Sequence, residues 1–467
     1  MQLYLQQTYA TLKGEHFMGF RDDFFWGGVS ASYQVEGAAF EDGKGPSVWD
    51  MFCRQEGRIA DGRNGDVACD HYHLYQKDVD LMREIGFNAY RFSISWPRVL
   101  PDGYGAVNEK GLDFYDRLLD SLLEAGITPF VTLFHWDYPY ALFRRGGWMN
   151  PDSPKWFVEY VTVLARRLGD RMKYIMTFNE PQCFIGLGYD EAIHAPGIRF
   201  PIWDTLLMAH NVLLAHGMAI QALRAELPEA KLGWAPTCSA HYPLTETEED
   251  IEAARKAFFD IFTDRPFWNV SLWSDPVFLG EYPKKVFDLF GEHMPEIKPG
   301  DMETIRQPLD FLGQNIYNGH AIKSDGKGGY EFVPRKPGYA FTGAKWPVTP
   351  EALYWGPKFL AERYKVPIII TENGISCPDV VSLDGKVHDP DRIDFIHRYL
   401  LQLRRAADDG VDIRGYMYWC TTDNFEWAKG YTERFGMIYC DFETQERILK
   451  DSAYWFRETI RANGNNL

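Results

Sequence analysis

Two glutamates in distinctive settings are the residues of this chain best placed to do chemistry. Glu180 sits in Thr177-Phe178-Asn179-Glu180-Pro181, and Glu372 in Ile370-Thr371-Glu372-Asn373-Gly374. Each ends a short apolar run that reads as a strand. Two carboxyl groups meeting at one place can divide a reaction between them. A protonated one gives its proton to a leaving oxygen; an ionised one attacks the carbon or activates a water. That is the division of labour in glycoside hydrolysis, where a gap of about 5 to 5.5 Å suits direct attack and a wider one leaves room for water. The surroundings must push the two pKa values apart. Arg91, on another apolar run, supplies the positive charge that would hold one carboxylate ionised. A strand-end glutamate also serves as a helix cap, and position alone leaves both readings open.

Other runs end in the same way. Candidate strands are 23–30, 88–95, 127–134, 173–179, 231–236, 310–316, 367–372 and 412–419. They lead into Gln34 and Glu36, carry Arg91, or end at His135-Trp136-Asp137, Asn179-Glu180, Asn315 and Tyr317, Glu372, and Trp419 followed by Asp423-Asn424-Phe425-Glu426-Trp427. Near-continuous apolar runs of this length fit strands covered on both faces. Amphipathic stripes lie between them. Residues 75–85 carry Tyr75, Val79, Met82 and Ile85 before Gly86; 111–125 carry Leu112, Tyr115, Leu118, Leu119 and Leu122 before Gly126; 155–168 carry Trp156, Tyr160, Leu164 and Leu168. Apolar residues at three- and four-residue steps with a closing glycine predict helices. Eight strands in a strand–helix rhythm, with no linker between them, predict an α/β fold: a TIM barrel of eight parallel strands forming one domain over 18–467. The strand tips of such a barrel converge at one face. The long connections 238–308 and 317–350 are expected at that face, the first with an acidic helical run from Thr245 to Phe262.

Composition narrows the partners. The net charge is −17, from 49 basic against 66 acidic residues, and no basic run offsets it. Such a surface repels nucleic acid and anionic membrane. No stretch approaches the roughly 18 to 20 apolar residues of a membrane span. The seven cysteines are odd in number and form no CxxC pair, so free thiols and a cytoplasmic location are expected. Residues 1–17 lack the basic start and apolar middle of a signal peptide and read as a disordered extension or expression remnant. Cys69-Asp70-His71-Tyr72-His73 invites a metal reading. However, residues two apart do not share a helix face, and Asp70 reads as a helix N-cap. Gly103 and Gly105 lack the third glycine of a dinucleotide loop. The acidic run Glu246–Asp250 reads as a solvated helix face. The expected chemistry needs no metal and no cofactor.

The chain resembles glycoside hydrolase family 1, the β-glucosidase family, over about residues 20–460. The resemblance is carried by DFFWGGVSASYQVEGA at 23–38, RFSISWPRVLP at 91–101, TLFHWDYP at 132–139, TFNEP at 177–181, ITENG at 370–374 and DNFEWAKGY at 423–431. It implies a TIM barrel, with Glu180 as acid/base and Glu372 as nucleophile of a retaining reaction on terminal β-glucosyl residues, short oligosaccharides such as cellobiose included. It further implies that Gln34, His135, Trp136 and Asn179 grip the sugar, and that Asn179 meets its 2-hydroxyl. Glu426 and Trp427 would read the far hydroxyls, and Trp419 would lie under the ring. Tyr317, close after Asn315, would bond the nucleophile, and Arg91 would be its charged neighbour. Gln182 stands where the family often has an aromatic residue. Asp190 and Glu191 replace commoner small residues, which bears on the leaving group.

Three activities compete. The first is the β-glucosidase, with β-fucosides and β-galactosides as secondary substrates. The second is a 6-phospho-β-glucosidase; Glu426 would repel the phosphate, and Lys429 alone favours it. The third is a glycan-binding barrel without catalysis, which the presence of both glutamates disfavours.

Overall fold

The computed structural model describes residues 19–467. The extension expected at 1–17 lies outside the described residues. Eight strands form the centre: β1 (Phe25–Ser30), β2 (Ala89–Ser93), β3 (Thr128–Phe134), β4 (Tyr174–Asn179), β5 (Lys231–Ala235), β6 (Phe311–Ile316), β7 (Ile368–Asn373) and β8 (Ile413–Trp419). All pair in parallel with their chain neighbours, and β8 pairs with β1, which closes the barrel. Every residue of β2, β6 and β7 is buried. Strands hidden on both faces have no polar side to alternate with, which explains their apolar runs.

The outer layer is helical: α1 (His71–Ile85), α2 (Glu109–Glu124), α3 (Ser153–Leu168), α4 (Ile202–Glu226), α5 (Ala352–Tyr364), α6 (Pro390–Asp408) and α7 (Asp451–Arg461). On α2 the stripe Leu112, Tyr115, Leu118, Leu119 and Leu122 is 2% exposed or less. Each such side chain contributes roughly 1.5–3 kcal/mol by burial. α1 stops at Gly86, whose φ of 88° is left-handed. Its amide bonds the carbonyls of Met82 and Arg83, a turn that glycine makes without a Cβ penalty.

Two expectations need correction. Among the described residues one segment is long and apolar enough to cross a membrane: α4, with 25 residues and a window of mean hydropathy 1.4. That window is 72% buried inside the protein, because α4 packs on α3 and on a short helix at Asp301–Ile305. A Cβ at Gly217 of α4 would lie 1.9 Å from the Thr304 carbonyl oxygen, so glycine permits that close approach. Asp70 does occupy the N-cap position of α1, but with a left-handed φ of 50° and no side-chain cap. Its carboxylate turns instead to His73 Nδ1 at 2.5 Å, while His71 Nδ1 meets Asp78 Oδ2 at 2.7 Å.

The long connections follow β5 and β6. The acidic run is a shorter helix than expected, Glu248–Phe258, whose Thr247 hydroxyl accepts from the Asp250 amide. Both connections leave from the face where the strand tips meet.

Candidate active site

Local backbone geometry sets the two glutamates. In β7 the pairing register shifts between Ile370 and Glu372 on the β6 side, and between Ile370 and Asn373 on the β8 side. In β4 it shifts between Met176 and Asn179. Such irregularities re-aim a side chain at a barrel rim. Glu180 has φ of 45°, and two neighbours in the site, Trp136 and Trp427, have φ of 81° and 51°. Left-handed backbone at three non-glycine residues costs energy and clusters where function requires it.

Arg91 of β2 crosses the barrel to both sides of the site. Its Nη1 donates to Glu372 Oε1 at 2.7 Å and to the Thr371 carbonyl at 3.1 Å; its Nη2 donates to Asn179 Oδ1 at 2.6 Å. Thr132 holds the other edge, accepting from Arg91 Nε at 3.0 Å. Tyr317 donates to Glu372 Oε2 at 2.7 Å. Asn315 uses both amide hydrogens, one to Asn179 Oδ1 at 3.0 Å and one to Glu180 Oε1 at 2.7 Å. Its own oxygen accepts from Thr371 Oγ1 at 2.7 Å. Asn179 donates to His135 Nε2 at 3.0 Å, which makes that nitrogen the acceptor and puts the ring hydrogen on Nδ1.

The electrostatics are dominated by burial. Burial first, and the charge of Glu180 second, push Glu372 above the usual carboxyl range, against the opposing pull of Arg91 and Tyr317. Burial also raises Glu180, whose direct donors are all neutral: Asn315, Cys183 and Thr237. Two carboxyls in one dry site do not both ionise readily, so the pair keeps one proton at neutral pH. The cation on Glu372 and its absence from Glu180 favour Glu180 as the carrier. Burial and then Arg91 hold His135 well below the usual histidine range, hence neutral.

At the other end lie the aromatic and hydroxyl-reading candidates. Trp136 and Trp427 rings are 4.5 Å apart at 30°, and His135 lies 5.9 Å from Trp419 at 23°. Gln34 Nε2 donates to Asn424 Oδ1, the Phe425 carbonyl and Glu426 Oε2, leaving its buried Oε1 without a protein partner. Burial, and after it the charge of Glu372, raise Glu426 to about 8.

One cavity of about 400 Å³ is lined by Glu180, Glu372, Tyr317, His135, Trp136, Trp419, Glu426 and Trp427. The remaining sequence-predicted residues, Gln34, Arg91, Asn179 and Asn315, stand directly behind them in the wall. This pair of buried carboxyls at the mouth of a parallel barrel coincides with a sequence match to Glycosyl hydrolase family 1 over residues 17–465.

The chain belongs to glycosyl hydrolase family 1.

The hydrolase is 44% identical over 448 residues to the 1,4-beta-D-glucan glucohydrolase of Thermotoga neapolitana, covering 95% of this chain and 99% of that one. It is also 44% identical to Beta-glucosidase A of Thermotoga maritima, covering 95% and 98%. The solved beta-glucosidase from Thermotoga maritima in complex with glucoimidazole superposes with a TM-score of 0.87 at 43% identity, covering 96% of this chain and 99% of that one.

Several groups of the hydrolase's site escape the sequence reading. Cys183 reaches Glu180 Oε2 at 3.1 Å; its spacing of three from Glu180 was the available signal. Trp268 and Trp346 line the cavity from the two long connections, where no periodicity points to them. Glu191 does reach this wall: it accepts from Trp268 Nε1 at 3.1 Å and lies 3.5 Å from Arg265, whose guanidinium is 5.1 Å from the Trp268 ring centre. Gln182 and Asp190 do not line the cavity. Gln182 is buried behind it, donating to the carbonyls of Thr237 and Asn269. Glu36, Asp137 and Asp423 also point elsewhere, to Arg98, Ser32 and Lys450.

Proposed function

We propose that this hydrolase is a retaining β-glucosidase that releases terminal β-D-glucose from β-glucosides and short oligosaccharides such as cellobiose. The observation that carries this reading is the asymmetry of the two carboxyls. Glu372 receives a cation and a phenol, while Glu180 receives an amide and a thiol and no direct cation. Glu372 is therefore the nucleophile: its Oε attacks the anomeric carbon as the bond to the leaving oxygen breaks. Glu180 gives its proton to that oxygen. In the second step Glu180 takes a proton from water, the water oxygen bonds the anomeric carbon, and the ester to Glu372 breaks. The names of the relatives support glucose as the sugar. Asn179, fixed by Arg91 and Asn315, presents its amide for the 2-hydroxyl. Neutral His135, Gln34 Oε1 and Glu426 supply partners for the other hydroxyls, and Trp136, Trp419 and Trp427 the apolar faces. β-Fucosides and β-galactosides are secondary substrates.

A phosphate on the sugar finds little support: Glu433 joins Glu426 on the cavity wall beside Lys429, and the other cation there, Arg265, already faces Glu191. Seven free thiols support a cytoplasmic location, and an acidic surface supports a soluble small-molecule enzyme that binds neither nucleic acid nor membrane.

The test is release of nitrophenol from 4-nitrophenyl β-glucoside by the wild type and by Glu372→Ala, with and without azide. An inactive variant rescued by azide, yielding the α-glucosyl azide, is the expected outcome. A β-glucosyl azide, or undiminished hydrolysis by the variant, rejects the assignment.

A further inference from the structure

Glu180 and Cys183 lie in one turn of chain: the Cys183 amide donates to the Glu180 carbonyl at 2.9 Å, and the thiol comes back to Glu180 Oε2 at 3.1 Å. Both side chains line the cavity. The other carboxyl oxygen, Oε1, already accepts from Asn315 Nδ2 at 2.7 Å. An amide nitrogen only donates, so Oε1 serves as an acceptor; a carbonyl oxygen accepts better than a hydroxyl oxygen, which favours the acid proton on Oε2, the oxygen beside the sulfur. We propose that Cys183 is a positioning residue for Glu180, a weak two-way partner that leaves the acid proton on Oε2 free for the leaving oxygen and supports the carboxylate once that proton has gone.

The inference rests on the reading of Glu180 as acid/base. When Glu180 is protonated, the sulfur is a poor acceptor and does not compete with the leaving oxygen for the Oε2 proton. When Glu180 is ionised, the thiol hydrogen turns to Oε2. Burial raises the thiol well above its usual range, so it stays protonated throughout. A hydroxyl in its place donates more strongly to the carboxylate and would hold it ionised to lower pH. The other groups facing Glu180 are Arg91, Asn315 and Thr237, and its charge is felt by Glu372, Tyr317, Cys238 and Glu426. Cys183 itself faces Glu372 and Glu191 besides Glu180. None of these is altered by a change of one atom at position 183.

The experiment measures kcat/KM for cellobiose against pH in wild type, Cys183→Ser and Cys183→Ala. The alkaline limb, where Glu180 loses its proton, should fall in the serine variant and rise in the alanine variant, each by about half a pH unit to one unit. Equal melting temperatures exclude misfolding as the source. Glu180→Ala serves as the separate check on the underlying reading. It should lose cellobiose hydrolysis while still releasing a first equivalent of dinitrophenol from 2,4-dinitrophenyl β-glucoside, whose leaving group needs no proton. If that check holds and the three limbs coincide, or shift in the opposite order, the role of Cys183 is overturned. If the check itself fails, the assignment of Glu180 falls with it.

Discussion

Arg91 and Glu372 meet at 2.7 Å across the barrel, from β2 to β7, with side chains 1% and 4% exposed. The same guanidinium holds Asn179 on β4, so one cation orders three strand tips. Removing it leaves a buried carboxylate without a counter-charge, a loss of about 3–5 kcal/mol. Arg91→Met should lower kcat/KM for 4-nitrophenyl β-glucoside by roughly a hundredfold to a thousandfold. The sign of its pH effect also follows. Glu372 must be ionised to attack, so its pKa sets the acid limb. Losing a positive neighbour raises that pKa, and the acid limb of kcat/KM should move upward. A limb that stays put, or moves down, shows that Arg91 does not act on Glu372.

The barrel was legible because its strands are buried on both faces and end in polar residues. The eight apolar runs fall within two residues of the strands at both ends. Arg91 could be tied to a carboxylate because few cations lie inside a strand-like run. α4 was not legible: it is covered on most sides, so its sequence has no polar stripe to set a period. Trp268, Trp346 and Arg265 were hidden for a different reason. They stand on irregular connections whose path depends on tertiary packing, and neither spacing nor residue type identifies them. Glu191 was noticed as an oddity, but its partner Trp268, 77 positions away, needed the fold.

Glu426 offers a test through stability. Its folded pKa of about 8 is raised by burial and by Glu372, above the usual carboxyl range near 4.3. The folded state therefore binds more protons than the unfolded chain between those values. The stabilisation from this group is complete below about pH 4 and is lost as pH rises to about 8. Glu426→Gln keeps the shape and removes the titration. Relative to wild type, its melting temperature should rise with pH, by about 2–4 °C between pH 5 and pH 8.5. A difference that is constant with pH contradicts the buried, protonated Glu426.

The leaving-group wall makes a prediction about substrate length. Glu191 braces Trp268 by one hydrogen bond and Arg265 by charge, and both partners line the cavity. Glu191→Ala should loosen both without touching the carboxyls. KM for cellobiose should rise about three- to tenfold, while kcat/KM for 4-nitrophenyl β-glucoside changes less than twofold. Equal losses on both substrates place the effect in the glucose pocket and reject this wall as the leaving-group site.

Lys450 does not line the cavity, yet it anchors the segment that carries Glu426. Its ammonium, with a side chain 0% exposed, reaches Asp423 Oδ1 at 2.7 Å and Asp379 Oδ2 at 2.5 Å. Arg434 bonds the other Asp423 oxygen at 2.6 Å, and Arg392 bonds Asp379 at 2.6 Å and also Asp389. Three anions and three cations thus form a neutral chain behind the exit of β8. Asp423 begins the run Asn424-Phe425-Glu426-Trp427, whose backbone and Asn424 side chain receive Gln34. Lys450→Met leaves two buried carboxylates short of a cation, and single-partner loss in such a pair costs about 3–5 kcal/mol. The melting temperature should fall by several degrees, and KM for β-glucosides should rise as Glu426 and Gln34 lose their alignment. Adding Asp423→Asn removes one of the stranded charges. The double variant should therefore be more stable than the sum of the two single losses, a coupling of about 1–3 kcal/mol. Strict additivity in denaturant unfolding shows that the two groups act separately.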